Sequence, residues 1–224
     1  MKNSGKIDIK DIYIDLIKRT KSRQNNIINK YRLIDHPEND RQTFTKLIIG
    51  ELELILHDLF KNSKITKDIH TQKEYYRIDL ISWSDRSSDV VNELKFTTHM
   101  WDLDIVIEHE NNENDWMDEV VKLLYINCPR RLVISYIDRK DDGKPDKDIP
   151  FLELIVKCIN ILDPGGKKGL IKNGDQFAIM LGTSCFDSKI DTSDERYYDE
   201  QINYQLYFIE FNSREYEYTA YSEM

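Results

Sequence analysis

The sequence predicts an α/β fold with a mixed central β-sheet flanked by helices. Segments with apolar residues at helical intervals interleave with segments of strict two-residue alternation rich in β-branched and aromatic residues. The two kinds alternate along the chain instead of separating into halves, which favours one layered domain over two unrelated ones. Of 224 residues, 40% are apolar and 33% are charged, with only 8 Gly and 5 Pro. That composition suits a folded core and excludes collagen-like and low-complexity chains. The expected organisation is a helical N-terminal extension over residues 1–38 and an α/β domain over 39–224.

The elements follow in order. Ile9, Ile12, Ile14, Leu16 and Ile17, then Ile27, Ile28 and Tyr31, recur at helical intervals until His36-Pro37 closes the segment. A second helix is predicted from Arg41 to Phe60, with Phe44, Ile48, Leu52, Ile55, Leu56 and Leu59 as its apolar stripe and Asp40 as its cap. After a polar stretch, Tyr75 to Trp83 alternates as a strand, with Val90 to Phe96 as its hairpin partner, and Trp101 to Glu110 alternates again. Asn112 to Asn127 returns to helical spacing, ended by Pro129, and Arg130 to Ile137 reads as a buried strand. A solvated loop, a helix from Ile149 to Leu162, the turn DPGGKKG, the strand QFAIMLGTS and a hairpin of YQLYFIEF with EYEYTAY complete the chain. The glycines of DPGGKKG follow a helix and precede no Ser or Thr, so they do not form a phosphate loop. The Tyr stripe of the last hairpin is expected to pack in the sheet, not to stack bases.

Charge and cysteine usage narrow the classes. The net charge of −9 opposes a nonspecific nucleic-acid coat, yet residues 1–35 carry nine Lys and Arg against four Asp, so a basic arm or a solvated basic helix face precedes an acidic remainder. Cys128, Cys158 and Cys185 form no CxxC and are expected as small buried hydrophobes. The charged N-terminus and the lack of any long apolar run predict neither a signal peptide nor a membrane span, hence a cytoplasmic protein.

Carboxylates carry the chemical signal. Strand alternation over WDLDIVIEHE puts Asp102, Asp104, Glu108 and Glu110 on one face and the His109 ring on the other, among apolar residues. Like charges that close need water or a cation, and an acidic strand end inside an apolar pattern points to a hard divalent ion; a solvent-facing edge strand is the alternative. In the preceding strand Asp79 is a lone acid among aromatic and aliphatic neighbours. Either Arg77 on the same face neutralises it, or it meets Glu108 from the adjacent strand. The five histidines show no HxxxH or related zinc spacing.

From Arg41 to Ile137 the order of a helix, strands carrying one Asp and then a Glu-x-Lys or Glu-x-Glu, a helix and a further strand resembles the PD-(D/E)xK phosphodiesterase superfamily, with its restriction-endonuclease-like fold. Two registers compete: Asp79 with Glu93-Leu94-Lys95, which has the family's lysine, and Asp79 with Glu108-His109-Glu110, which replaces it by Glu. In the family a helix and then a buried strand follow the motif strand directly. Only the second register has that sequel, so a Glu-x-Glu variant is preferred. The resemblance implies that Asp79, Glu108 and the His109 carbonyl hold Mg²⁺, with Mn²⁺ as a substitute, while Glu110 orients or deprotonates the attacking water. The family's first helix commonly adds an acid, here Glu51 in preference to Glu53. Glu119 and Lys122 are expected to pair at i, i+3, with Lys122 as the alternative source of the missing basic group. The implied function is a metal-dependent, restriction-like DNA endonuclease, with a homodimer expected for cutting both strands. A non-catalytic binding or regulatory protein on the same fold, or a phosphodiesterase acting on RNA or nucleotides, are the alternatives.

Overall fold

A computed structural model describes residues 7–21, 40–63, 69–75, 77–85, 101–110, 116–137, 150–183 and 204–222. The expected strand Val90–Phe96 with Glu93 and Lys95, the helical residues Ile27 to Tyr31, His99 and Cys185 lie outside them. The described elements are α1 (Ile9–Lys21), α2 (Asp40–Asn62), β1 (Ile69–Tyr75), β2 (Ile78–Asp85), β3 (Trp101–His109), α3 (Trp116–Leu124), β4 (Arg130–Ile137), α4 (Pro150–Leu162), β5 (Gln176–Thr183), β6 (Tyr204–Phe211) and β7 (Tyr216–Ala220). The strands form one sheet in the order β1-β2-β3-β4-β5-β6-β7. β3, β4 and β5 pair in parallel, and the remaining neighbours are antiparallel.

The two parallel steps fix where the helices lie. Each crossover, β3-α3-β4 and β4-α4-β5, advances in the same direction across the sheet, so right-handed connections place α3 and α4 on one face. Their Trp116, Val120, Leu152 and Ile155 share an apolar cluster with Ile81, Val106, Val133 and Ile179. The opposite face is covered by α1 and α2, whose Ile9, Ile12, Leu16, Ile48, Leu52 and Leu56 cluster with Leu80, Ile105, Ile107, Ile134 and Met180. Each fully buried aliphatic of this kind contributes about 1.5–3 kcal/mol of transfer free energy. α1 packs within this core. The Ile9 N–H donates to Gln176 Oε1 at 3.1 Å, and the Tyr13 hydroxyl to the Tyr204 carbonyl at 2.9 Å.

Several strand expectations are corrected. The described partners of β2 are β1, IHTQKEY, on one edge and β3 on the other. Tyr75 and Ile78 close the β1–β2 turn, where Arg77 adopts a φ of 64°, so Arg77 belongs to the turn and not to the strand face that carries Asp79. β3 also contains a bulge: Ser82 pairs with Ile105 and Trp83 with Leu103, leaving Asp104 extra. The bulge puts Asp102, opposite Ser84, on the α1/α2 face, away from Glu108, and so breaks the expected row of four carboxylates.

Near the C-terminus Tyr204, Tyr207 and Tyr216 are buried in the sheet. The DPGGKKG turn is tied down from within: Asp163 accepts hydrogen bonds from the Lys168 and Leu170 N–H groups and from the Tyr216 hydroxyl at 2.7, 3.0 and 2.8 Å. One amide of the turn and the one just after it are thus directed at the turn's own carboxylate. No described helix is long and apolar enough to cross a membrane.

Candidate functional site

The site forms where β2 and β3 part. Their paired register ends at Leu80 and Ile107, and beyond it the His109 N–H donates to Asp79 Oδ2 at 2.7 Å. A side chain there takes the amide that a continued backbone ladder would have used. Asp79 and Glu108 emerge on the α3/α4 face, the face of Ile81 and Val106. α3 then supplies the charge. Lys122 Nζ lies 2.6 Å from Glu108 Oε1, pairs also with Glu119, and donates to the Arg77 carbonyl at 2.7 Å. The turn residue Arg77 thereby anchors Lys122 through its backbone, while Asp79 is engaged by the His109 N–H.

Three carboxylates and one ammonium leave an excess of negative charge in a site where Glu108 is only 2% exposed. Burial dominates its titration: the Glu108 carboxyl is pushed up to about 8, against the downward pull of Lys122. Asp79 is raised by burial too, despite its bond from His109. Burial also opposes the Lys122 charge, but Glu108 and Glu119 outweigh it and raise its pKa. Burial and the neighbouring acids thus favour the protonated form of Glu108 until a cation offsets the negative charge.

That proton has a consequence for stability. A carboxyl held up to about 8 keeps a proton that the unfolded chain releases near its ordinary 4.5, so its contribution is full below that value and is lost as pH rises through 8. Buried His109 is driven down to about 3, so its stabilisation is complete above about 6.5 and is lost as pH falls toward 3. Between pH of about 6.5 and 8 only the Glu108 slope is expected of the two. Urea unfolding across that interval should show falling stability in the wild type and a flatter profile in Glu108→Gln; equal slopes would contradict the assignment.

The other expected residues are placed as follows. Glu110 comes just after β3, with its N–H donating to the Ile134 carbonyl at 2.9 Å. The His109 ring faces the α1/α2 layer, as expected, near Thr45 Oγ1 and the Tyr136 hydroxyl at 3.2 and 2.8 Å. Glu51 is corrected: it lies in that same layer, across the sheet from Glu108, and meets Arg19 of α1 at 3.3 Å. Glu53 pairs with Lys73 at 2.7 Å. Arg19 also holds Asp58 at 2.7 Å, so this cation of the basic α1 braces α2 and does not face the carboxylates of Glu108 and Asp79. The sequence reading weighted Lys122 mainly as a partner of Glu119; its contact with Glu108 adds a role that an i, i+3 spacing cannot reveal.

Among the described residues no group of three or more His, Cys, Asp and Glu side chains forms a ready metal cage. The donor set does fit Mg²⁺, which is commonly held by one or two carboxylates with the rest of its shell from phosphate oxygens and water. A strand residue's N–H and C=O point to the same side, so the His109 carbonyl is directed toward β2 and Asp79, where it could add a third oxygen. Comparison with protein-family models, curated proteins and solved structures finds no match, so the reading of the site rests on its residues.

Proposed function

We propose that this chain is a metal-dependent phosphodiesterase of the PD-(D/E)xK type, acting on DNA as an endonuclease. The observation that carries the reading is the meeting of Asp79 and Glu108, from adjacent antiparallel strands, beside the Lys122 ammonium at the point where the strands part. The order α2-β1-β2-β3-α3-β4, antiparallel up to β3 and parallel from β3 to β4, supports it as the order the resemblance calls for.

In this reading Asp79, Glu108 and the His109 carbonyl hold Mg²⁺. The ion, when bound, supplies Lewis-acid stabilisation of charge on the phosphate and lowers the pKa of a coordinated water. Lys122 provides, from α3, the positive charge that the Glu-x-Glu strand lacks, and the Arg77 carbonyl keeps its ammonium at the site. Glu110, two residues beyond Glu108, orients or deprotonates the attacking water. Burial of Glu108 strengthens each of these electrostatic terms by limiting solvent screening. Asp79 and Glu108 make one such site among the described residues, so cutting both strands of a duplex calls for two copies related by a two-fold axis.

The substrate is tested by incubating the chain with supercoiled plasmid, single-stranded DNA and structured RNA in Mg²⁺ or Mn²⁺. Cleavage of plasmid supports the DNA reading, and cleavage of RNA alone moves the reading to a ribonuclease. No cleavage of any substrate favours a binding protein on the same fold.

A further inference from the structure

We infer that Lys122 fixes the capacity of the Asp79 and Glu108 site at one divalent ion, its ammonium standing where a second ion would otherwise be held. The inference rests on the reading of those two carboxylates as a cation site. Its starting point is the surroundings of the ammonium, which has three N–H donors and no acceptor. Glu108 Oε1 of β3 lies 2.6 Å away, Glu119 of α3 pairs with it, and the Arg77 carbonyl of the β1–β2 turn accepts at 2.7 Å. Three donors thus meet three oxygens drawn from three separate elements. Arg77 delivers its carbonyl from a left-handed conformation, φ 64°, which few non-glycine residues adopt. Lys122 and Glu119 are 29% and 23% exposed, which leaves this seat open to an ion from solution.

Two carboxylates and a backbone carbonyl are donors that hard divalent ions take. Metal–oxygen distances of about 2.0–2.6 Å are shorter than the ammonium contacts by only a few tenths of an ångström. A small inward movement of the same oxygens therefore turns an ammonium seat into a metal seat. Glu108 belongs to both places, that of the proposed ion with Asp79 and that of the ammonium with Glu119. Charge decides which cations fill them. Asp79 senses both Lys122 and Glu119 electrostatically, so three acids and one ammonium act as one cluster. When all are ionised, three carboxylates less one ammonium leave two negative charges, which one divalent ion neutralises. With the ammonium in place, a second divalent ion meets like charge at contact distance and leaves the cluster positive. Without the ammonium three negative charges remain, one divalent ion leaves one of them unbalanced, and the oxygens that held Lys122 are open to a second ion.

The test counts Mn²⁺ ions bound to the full chain by calorimetry, with electron paramagnetic resonance to detect coupling between paired ions and thermal unfolding alongside. The wild type is expected to bind one ion. Lys122→Met should bind two, the second more weakly, and show a coupled Mn²⁺ pair. Adding Glu119→Gln to Lys122→Met removes an oxygen charge from the opened place and should return the count to one. Glu108→Gln, which alters both places, should bind none. Mn²⁺ should also raise the unfolding temperature of Lys122→Met more than that of the wild type, because the second ion replaces the lost charge. If Lys122→Met binds one ion as the wild type does while Glu108→Gln binds none, the inference is overturned and the cation site stands. Two ions in the wild type, or a Lys122→Met protein that stays unfolded in excess Mn²⁺, overturn the inference in the same way. Wild-type protein that binds no Mn²⁺, or binding untouched by Glu108→Gln, overturns the cation site and the inference with it.

Discussion

Replacing Glu108 by Ala or Gln is expected to lower metal-dependent cleavage by at least about a hundredfold, the usual scale for removing one electrostatic contact to the transition state. The same change should not weaken the fold. Glu108 is buried beside Asp79 and Glu119, with one ammonium to offset three acids, so its ionised form is costly to hold. Glutamine keeps the shape and one hydrogen-bonding oxygen for Lys122 while removing the ionisable group. Above pH of about 6.5 the Glu108→Gln protein should therefore be at least as stable as the wild type, although inactive. Kinetics and urea unfolding on the same preparation check the split. A variant that loses stability and activity together would make Glu108 a structural residue.

The second large effect lies away from the site. Arg131 is only 1% exposed, yet its guanidinium pairs with Asp175 at 2.8 Å, donates to the Leu170 carbonyl at 2.7 Å and lies over the Phe177 ring. Burial lowers its pKa and Asp175 opposes that shift, which identifies Asp175 as the principal compensating charge. Asp175→Ala strands a buried cation and is expected to cost about 3–5 kcal/mol, a fall in unfolding temperature on the order of 10 °C for a chain of this size. Removing both partners, with Arg131→Met added, should recover most of the loss because no uncompensated charge remains. Thermal and urea unfolding of the single and double variants form the cycle. A single variant that costs less than about 1 kcal/mol would mean that solvent already screens the pair.

The sequence made the half-buried elements legible. α2, β3, α3, β4 and β5 alternate or repeat because one side of each meets apolar neighbours, and those periods survive in the residues themselves. β1 was read as a polar stretch because IHTQKEY is an edge strand, mostly exposed, whose partner is needed to define it. The bulge at Asp104 has no periodic signature, so counting by two along β3 assigned Asp102 to the wrong face. Asp79 and Glu108 stand out in the sequence because acids inside apolar strands are conspicuous, and the structure puts both on the α3/α4 face. The surroundings of Lys122 and Glu51 are not legible in the sequence for one reason: which layer a helical side chain faces depends on contacts between distant segments. Here Lys122 reaches Glu108 and Glu51 reaches Arg19.

The central claim is that Asp79 and Glu108 hold a divalent ion for phosphodiester hydrolysis. It is tested most directly by following supercoiled plasmid with Mg²⁺, with Mn²⁺ and with chelator, for the wild type and Glu108→Gln side by side. Nicked or linear DNA that forms only with metal and disappears in Glu108→Gln is the predicted result. Cleavage that persists in Glu108→Gln, or a wild-type protein that leaves the plasmid intact in both metals, would contradict the account.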